Sequence, residues 1–193
     1  MCPSRRARLA TYPPEHPGRR EEPHLPSRGH HAGPDPEPTP ACVQTLNAFS
    51  VDHLCKTIVM ENTRAHPDVD GYKDRNNSKY YAVIVQYTAR MSAEKLMKLV
   101  FDKLNQRKTQ KKYFNMRLVA EETSEELTGY KTGAVTPACL AHPIPIVISH
   151  RIGELTPSFF FMGGGHVDLK LAVDFDQFVK GYDAIVADIT YDD

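Results

Sequence analysis

The sequence predicts an α+β domain: a mixed, largely antiparallel sheet of six to seven strands with short flanking helices. Short runs of β-branched and aromatic residues recur from residue 53 to near the end of the 193-residue chain. Only three segments have helical spacing, and all three are short. The strands do not alternate regularly with helices, as they would in a doubly wound parallel sheet.

The first predicted strand is HLCKTIVM, residues 53–60, in which Lys56 shares one face with two apolar side chains. A polar loop leads to the second strand, KYYAVIVQYT, residues 79–88. The segment SAEKLMKLVFDKLN, residues 92–105, carries leucine and valine at helical spacing. Ser92 is its predicted N-cap.

The rest of the chain is predicted to contain five strands and two short helices, which do not alternate. The predicted strands are MRLVA (116–120), PIVISHRI (145–152), FFFM (159–162), VDLKLAV (167–173) and AIVADIT (184–190). Two short helices are predicted at EETSEEL (121–127), ending near Gly129, and at DFDQFVKGYD (174–183).

The first 40 residues differ from the rest in composition. They hold 10 of the 15 prolines and few apolar side chains. Such a segment buries too little apolar surface to offset the entropy lost on ordering. We therefore expect residues 1–40 to be disordered and residues 41–193 to form the folded domain.

Charge and cysteine content limit the function classes. Lys and Arg together number 24, as do Asp and Glu, which argues against a generally basic nucleic-acid coat but allows a local basic groove. The four cysteines are widely spaced, so neither a disulfide scaffold nor a zinc site is predicted. No segment reads as a signal peptide, a transit peptide or a membrane span, and we expect a cytoplasmic protein without a membrane partner.

The stretch GYKTGAVTP, residues 129–137, is rich in small residues. Gly133 can adopt a positive φ, and Pro137 stiffens the exit from the stretch. Ala134, Val135 and Thr136 each keep a backbone N–H beside a short side chain. These N–H groups can be presented to a developing oxyanion. An ordinary turn without a ligand is the alternative interpretation.

The stretch FFFMGGGHVD places Gly163, Gly164 and Gly165 at the end of an apolar strand. Consecutive glycines there indicate a bulge or a close approach of another backbone. The spacing is that of neither a dinucleotide-binding fingerprint nor a Walker A loop.

Lys56 is the third candidate site residue. In a pocket, its ammonium group would attract a phosphate or a carboxylate as a point charge. Outside a pocket, it would extend along the apolar face to solvent at the sheet edge.

Other polar groups give weaker signals. His142, His150 and His166 lie in separate elements without metal-ligand spacing, so no metal is predicted. Cys139 and His166 form a conceivable nucleophile pair, but an inert thiol is the simpler interpretation.

The run NQRKTQKK is basic and comes just after the amphipathic helix predicted at the second strand's C-terminal side. Its cations are Arg107, Lys108, Lys111 and Lys112. They are typical of a solvated surface, and they would also suit an RNA phosphate backbone.

Taken in order, CKTIVM, TGYKTGAVTPACL, FFFMGGGHVDLKLAV and KGYDAIVADIT resemble the YbaK-like aminoacyl-tRNA deacylases. These are related to the editing domain inserted in bacterial-type prolyl-tRNA synthetases. The resemblance covers about residues 50–193. It maps the family's essential lysine onto Lys56, its G-x-x-x-P loop onto Gly133–Pro137, and its glycine-rich strand end onto Gly163–Gly165. Ahead of the lysine strand, where the family has a helix and a strand, this chain is largely Pro-rich.

The resemblance implies hydrolysis in trans of the ester of a mischarged tRNA, centred on tRNA-Pro, without a metal or other cofactor. Lys56 and the main chain of Gly133, Ala134, Val135 and Thr136 would act on the ester, and a water or a substrate group would attack it. Pro137, Gly163, Gly164, Gly165, His166 and Asp168 would line the substrate pocket. The implied partners are the mischarged tRNA and an aminoacyl-tRNA synthetase, and the amino acid that is removed stays open.

Two other function classes stay open. A catalytically silent module of the same fold would dock on tRNA or on a synthetase, as the Pro-rich start and the basic run allow. A binder of a small carboxylate or a nucleotide would use the glycine-rich stretches alone.

Overall fold

The computed structural model describes residues 40–69, 71–106 and 108–191. The segment expected to be disordered lies outside these ranges, except for Pro40. The strands are β1 (Cys55–Asn62), β2 (Tyr80–Gln86), β3 (Met116–Leu118), β4 (Ile146–Ser149), β5 (Phe159–Gly163), β6 (Lys170–Asp174) and β7 (Ile185–Ala187). The α-helices are α1 (Pro40–Thr45), α2 (Ala93–Leu99), α3 (Glu121–Thr128), α4 (His150–Gly153) and α5 (Phe175–Tyr182).

Five strands form one mixed sheet in the order β3-β1-β2-β4-β7, and β5 pairs with β6 in a second sheet. β1 runs antiparallel to both β2 and β3, while β2–β4 and β4–β7 are parallel. β5 and β6 are antiparallel. Three of these five pairings are antiparallel, and the predicted α+β class with a mixed sheet is confirmed. The seven strands are divided between two sheets, whereas one sheet of six to seven strands was predicted.

The apolar core lies on both faces of the large sheet. One face packs Val59 and Ile84 against Phe160 of β5, and the other packs Val83 against Leu96 of α2. Residues 81–86 of β2 are all buried, because both faces of this central strand are covered. None of the described helices is long and apolar enough to cross a membrane.

Helix termini follow the predicted chemistry. The Ser92 hydroxyl accepts a hydrogen bond from the N–H of Lys95 at 3.2 Å, which confirms Ser92 as the N-cap of α2. α3 ends at Gly129 with φ +80°, also as predicted. The Asp174 carboxylate caps α5 by accepting a hydrogen bond from Gln177 N–H at 2.9 Å.

Three predicted elements differ from the structure. Residues 150–153 form helix α4 rather than the end of a strand, and this turn buries the side chain of Ile152 completely. In VDLKLAV the strand begins only at Lys170, since the preceding residues turn between β5 and β6 and leave Val167 exposed. The single helix predicted at 92–105 is divided in the structure. The α-helix α2 ends at Leu99, and a π-helical turn follows it over Val100–Leu104. Helix α1 has no predicted counterpart.

Phe178 tests the packing that holds β5 in place. Its side chain is 1% exposed and meets Phe160 edge-to-face at 5.4 Å between ring centroids. We expect Phe178→Ala to lower the free energy of unfolding by ~3–5 kcal/mol in urea titration, because it leaves a cavity in the core. Leu118→Ala, at a side chain that is 64% exposed, should change it by less than ~0.5 kcal/mol. Equal effects of the two substitutions would contradict this packing.

Candidate active site

The start of β1 and the end of β5 meet at one edge of the large sheet. Leu54 forms an isolated parallel β-bridge with Phe161. Two residues further along each segment, Lys56 and Gly163 therefore lie level with each other. The β5–β6 ladder pairs Gly163 with Lys170 and so adds a second lysine to the same place.

The loop between α3 and β4, called the glycine loop below, contains a tight turn at Gly133. The N–H of Ala134 donates to the carbonyl of Lys131 at 2.9 Å, and Gly133 has φ +81°. A positive φ at the third position of such a turn is the mark of a type II turn, which favours glycine. The Tyr130 hydroxyl donates to the carbonyl of Ala138 at 2.9 Å and so links the segments before and after the turn. The positive φ predicted for Gly133 is confirmed.

Gly163 receives the main chain of this loop. A Cβ atom at Gly163 would overlap the carbonyl oxygen of Val135, so only glycine allows the two backbones to approach this closely. Gly164 and Gly165 serve the hairpin turn instead, packing under the side chains of Leu169 and Tyr130. The close backbone approach predicted for the glycine run is therefore found at Gly163.

These contacts enclose a small cleft of about 20 Å³, enough for about one water molecule. Its lining comes from β1, β2, the glycine loop and the β5–β6 hairpin, namely Cys55, Lys56, Thr57, Tyr87, Gly133, Val135, Gly163 and Lys170. The structure thus brings together four residues expected at the site: Lys56, Gly133, Val135 and Gly163.

The cleft carries two positive charges. The Lys56 Nζ lies 5.4 Å from the centroid of the Tyr87 ring, which gives the ammonium an aromatic face to rest on. In the described part of the chain, no acidic side chain forms a salt bridge with Lys56 or Lys170. The cleft is therefore suited to an anionic group, such as a phosphate.

The main-chain N–H groups of the loop differ in their availability. The Ala134 N–H is already donated to Lys131, so the expectation that it receives an oxyanion is corrected. Among the described residues, none accepts a hydrogen bond from the N–H of Val135 or of Thr136. The buried Thr136 hydroxyl accepts from Ala138 N–H at 3.2 Å and fixes the chain beside the buried Pro137.

Four cleft residues were not predicted, namely Cys55, Thr57, Tyr87 and Lys170. Thr57 is 8% exposed, and its Oγ1 has no hydrogen-bond partner among the described residues, which marks it as a group that can bind a water or a ligand. Its place next to Lys56 on the strand was the available signal. Lys170 could have been found from its pairing with Gly163 across a hairpin, whereas nothing in the sequence singles out Tyr87.

Cys55 also lines the cleft but is not suited to act as a nucleophile. Burial raises the pKa of its thiol well above the usual range, and the negative charge of Asp52 adds to the shift. The side chain therefore stays a thiol at neutral pH, and the thiolate is the nucleophilic form.

His166 and Asp168 lie away from the cleft. Their side chains are 70% and 88% exposed in the hairpin turn, and His166 Nδ1 lies 3.8 Å from Asp168 Oδ2. Cys139 is also exposed, on the glycine loop, and does not line the cleft. The His142 ring nitrogen lies 2.7 Å from the Tyr72 hydroxyl, and His150 faces Glu154. Within the described residues, no His, Cys, Asp or Glu cluster is arranged to hold a metal.

The basic run lies apart from the cleft. Lys108 and Lys112 line a different and larger cavity, and Lys111 is exposed beside it. Arg107 lies outside the described residues.

Comparison with known proteins identifies the family. The sequence matches the aminoacyl-tRNA editing domain family over residues 36–180. None of the curated proteins matches it significantly.

Three solved structures share the fold. A protein proposed to be a trans-editing enzyme for prolyl-tRNA synthetase superposes with a TM-score of 0.59 at 19% identity, covering 78% of this chain and 77% of the other. A hypothetical protein gives a TM-score of 0.58 at 22% identity, with 78% and 83% covered. A structure from computational grafting of epitopes onto scaffold proteins gives 0.60 at 16% identity, with 78% of each chain covered.

At these identities the structural likeness shows the fold alone. The sequence match is the stronger finding, because it spans most of the described chain, from ahead of β1 into α5. It includes every residue that lines the cleft. On this match, the chain belongs to the aminoacyl-tRNA editing domain family.

Proposed function

We propose that this protein hydrolyses, in trans, the ester that joins a wrong amino acid to the 3′ end of a tRNA. The observation that carries the proposal is the meeting of Lys56 with Val135 at one cleft, through the contact of the glycine loop with Gly163. The family supplies the class of substrate, an aminoacyl-tRNA.

The N–H groups of Val135 and Thr136 are the proposed oxyanion donors. Attack by water on the ester carbonyl carbon places negative charge on the carbonyl oxygen. The intermediate then collapses to the free amino acid and the tRNA ribose hydroxyl. A preorganised N–H donor is worth ~2.7–4 kcal/mol at this step, or roughly 10²–10³ in rate.

Lys56 and Lys170 are proposed to hold the phosphate of the terminal adenosine, which would place the ester beside the loop. The unpartnered Thr57 hydroxyl would orient the attacking water or the substrate's amino group. Since Cys55 stays a thiol, we propose that it does not act as a nucleophile and that no protein nucleophile takes part. That the reaction needs no metal is proposed on the family resemblance alone.

We propose tRNA-Pro as the tRNA, on the resemblance to prolyl-tRNA editing domains. One of the solved structures with this fold is itself described as serving prolyl-tRNA synthetase. A synthetase would be the partner that releases the mischarged tRNA.

A catalytically silent tRNA-binding module is the second candidate. It is favoured by the small size of the cleft compared with the cavity of about 370 Å³ beside the basic run. Binding of tRNA without turnover would identify this function.

A deacylation assay separates the two candidates. tRNA-Pro charged in turn with alanine, serine, cysteine, threonine and proline is incubated with the protein, and the rate of release is measured. We expect Lys56→Ala to lower kcat/KM by about 10- to 150-fold, because a hydrogen bond to a charged group is worth ~1.5–3 kcal/mol. Cys55→Ala should keep the wild-type rate. Full activity of Lys56→Ala would rule out the proposed mechanism.

Gly163→Ala tests the contact between the loop and the strand end. The new Cβ would displace the Val135 main chain, and a shift of about 1 Å in a reacting group can cost 10²-fold in rate. We therefore expect kcat to fall by about that factor.

Gly181→Ala is the matched control. Gly181 lies in α5 with nothing within 4 Å of an added Cβ. We expect it to keep the rate and to gain up to ~1 kcal/mol in the free energy of unfolding. Equal rates for the two alanine variants would show that the contact at Gly163 is not needed.

A further inference from the structure

A second cavity lies at the opposite end of β1 from the cleft. It has a volume of about 370 Å³, within the range of small-ligand sites. It forms between the loop that follows β1 and the segment after α2. Its lining includes His66, Asn77, Lys108, Thr109, Lys112 and Tyr113, and no residue of the cleft.

The charge of this cavity is positive. Lys108 and Lys112 are exposed, and no acidic side chain in the described ranges forms a salt bridge with either. The one carboxylate in the lining, Asp68, lies 3.4 Å from His66 Nδ1. Two lysines at the mouth of one cavity favour an anionic ligand, and a phosphate is the anion that lysine binds as a point charge.

The cavity also presents aromatic surface. The Tyr113 ring meets the His66 ring edge-to-face at 4.6 Å between centroids. The Lys112 Nζ lies 4.9 Å from the centroid of the Tyr113 ring. Aromatic rings beside a positively charged groove are the combination that binds single-stranded nucleic acid without strong sequence preference.

The wall that carries the lysines is fixed by its own hydrogen bonds. The Asn105 side chain donates to the Thr109 carbonyl at 2.7 Å and accepts from the Thr109 N–H at 2.9 Å. The amide of Asn77, which is 2% exposed, donates to the Thr109 hydroxyl at 3.3 Å. Lys108 therefore lies between two residues that these bonds join, and Lys112 lies in the 3₁₀ turn Lys111–Tyr113 that follows.

The position of the cavity suits one RNA that reaches both sites. Asn62 ends β1 and donates to the Tyr113 carbonyl at 2.8 Å, which places the cavity beside that strand end. Six residues separate Asn62 from Lys56, or about 20 Å at ~3.3 Å per residue. At ~3.4 Å per nucleotide, the spacing along one strand of a DNA duplex, a stacked strand covers this distance in about six nucleotides.

We propose that this cavity binds a backbone phosphate of the tRNA acceptor arm while the 3′ end occupies the cleft. The proposal rests on the proposed deacylase function, and it adds a second contact that supplies affinity rather than chemistry. A free nucleotide offers the same phosphate chemistry, and binding of ATP or inorganic phosphate distinguishes it from tRNA in the test.

The test is the salt dependence of tRNA binding by the full chain. Binding of uncharged tRNA-Pro is measured by fluorescence anisotropy at a series of salt concentrations for wild type and for Lys108→Gln/Lys112→Gln. We expect the double variant to bind more weakly and its slope of log K against log salt to fall in magnitude by about 1.4–1.8, or 0.7–0.9 for each lost contact. Lys98→Gln/Lys180→Gln, which removes two exposed lysines from α2 and α5, should match wild type. An unchanged affinity and slope in the Lys108/Lys112 variant would overturn the proposal.

A short substrate separates this proposal from the deacylase function. A 3′-aminoacyl adenosine 5′-phosphate keeps the terminal phosphate but lacks the rest of the acceptor arm, so the cavity variant should hydrolyse it at the wild-type rate, whereas Lys56→Ala should hydrolyse it more slowly. If no variant hydrolyses any ester, the deacylase function fails, and the tRNA affinities still decide the role of the cavity. If ATP or inorganic phosphate binds in a Lys108-dependent way and tRNA does not, a free phosphate ligand replaces the tRNA and the proposal is wrong.

Discussion

The contact between the Val135 carbonyl and the main chain of Gly163 is the constraint on which the rest of the site depends. It leaves no room for a side chain, so it fixes a glycine at the end of β5 and the path of the loop that follows α3. Because the bridge from Leu54 to Phe161 sets β5 level with β1, the same contact places the loop beside Lys56. A glycine at this position contributes no side-chain packing, but it allows the two backbones to approach each other closely.

Around this contact the cleft combines fixed dipoles with mobile charges. The N–H groups of Val135 and Thr136 are held by a type II turn and by the Thr136 hydroxyl, so they can act without reorganising. Lys56 and Lys170 are long, flexible cations that can follow a phosphate as it arrives. In the proposed mechanism the rigid groups would meet the reacting carbonyl, and the flexible groups would hold the substrate beside it.

The sequence predicted the parts of the site that local backbone chemistry decides. The positive φ of Gly133, the close approach at Gly163 and the end of α3 at Gly129 each follow from what glycine alone can do, and each is found. The role of Lys56 stays a prediction, although the lysine does line the cleft. The class of fold followed from the pattern of short strands.

What the sequence did not predict depends on contacts between distant segments. Lys170 and Tyr87 enter the cleft through strand pairing, and His166 and Asp168 leave it because the hairpin turns outward before β6 begins. The hydrogen bond from the Ala134 N–H to the Lys131 carbonyl removed one expected oxyanion donor, and this bond depends on the turn geometry. Helix α4 replaced a strand end because burial of Ile152 outweighed the local β propensity.

The central claim, that the loop amides and Lys56 serve one bound ester, can be tested without turnover. The measurement is the ¹H–¹⁵N shift of each backbone amide as a non-hydrolysable 3′-amide analogue of aminoacyl-adenosine 5′-phosphate is added. We expect saturable downfield shifts at Val135 and Thr136, a smaller change at Ala134, and weaker binding in Lys56→Ala. Saturable binding that leaves the amides of residues 135 and 136 unmoved, or an affinity that Lys56→Ala does not change, would contradict the shared site.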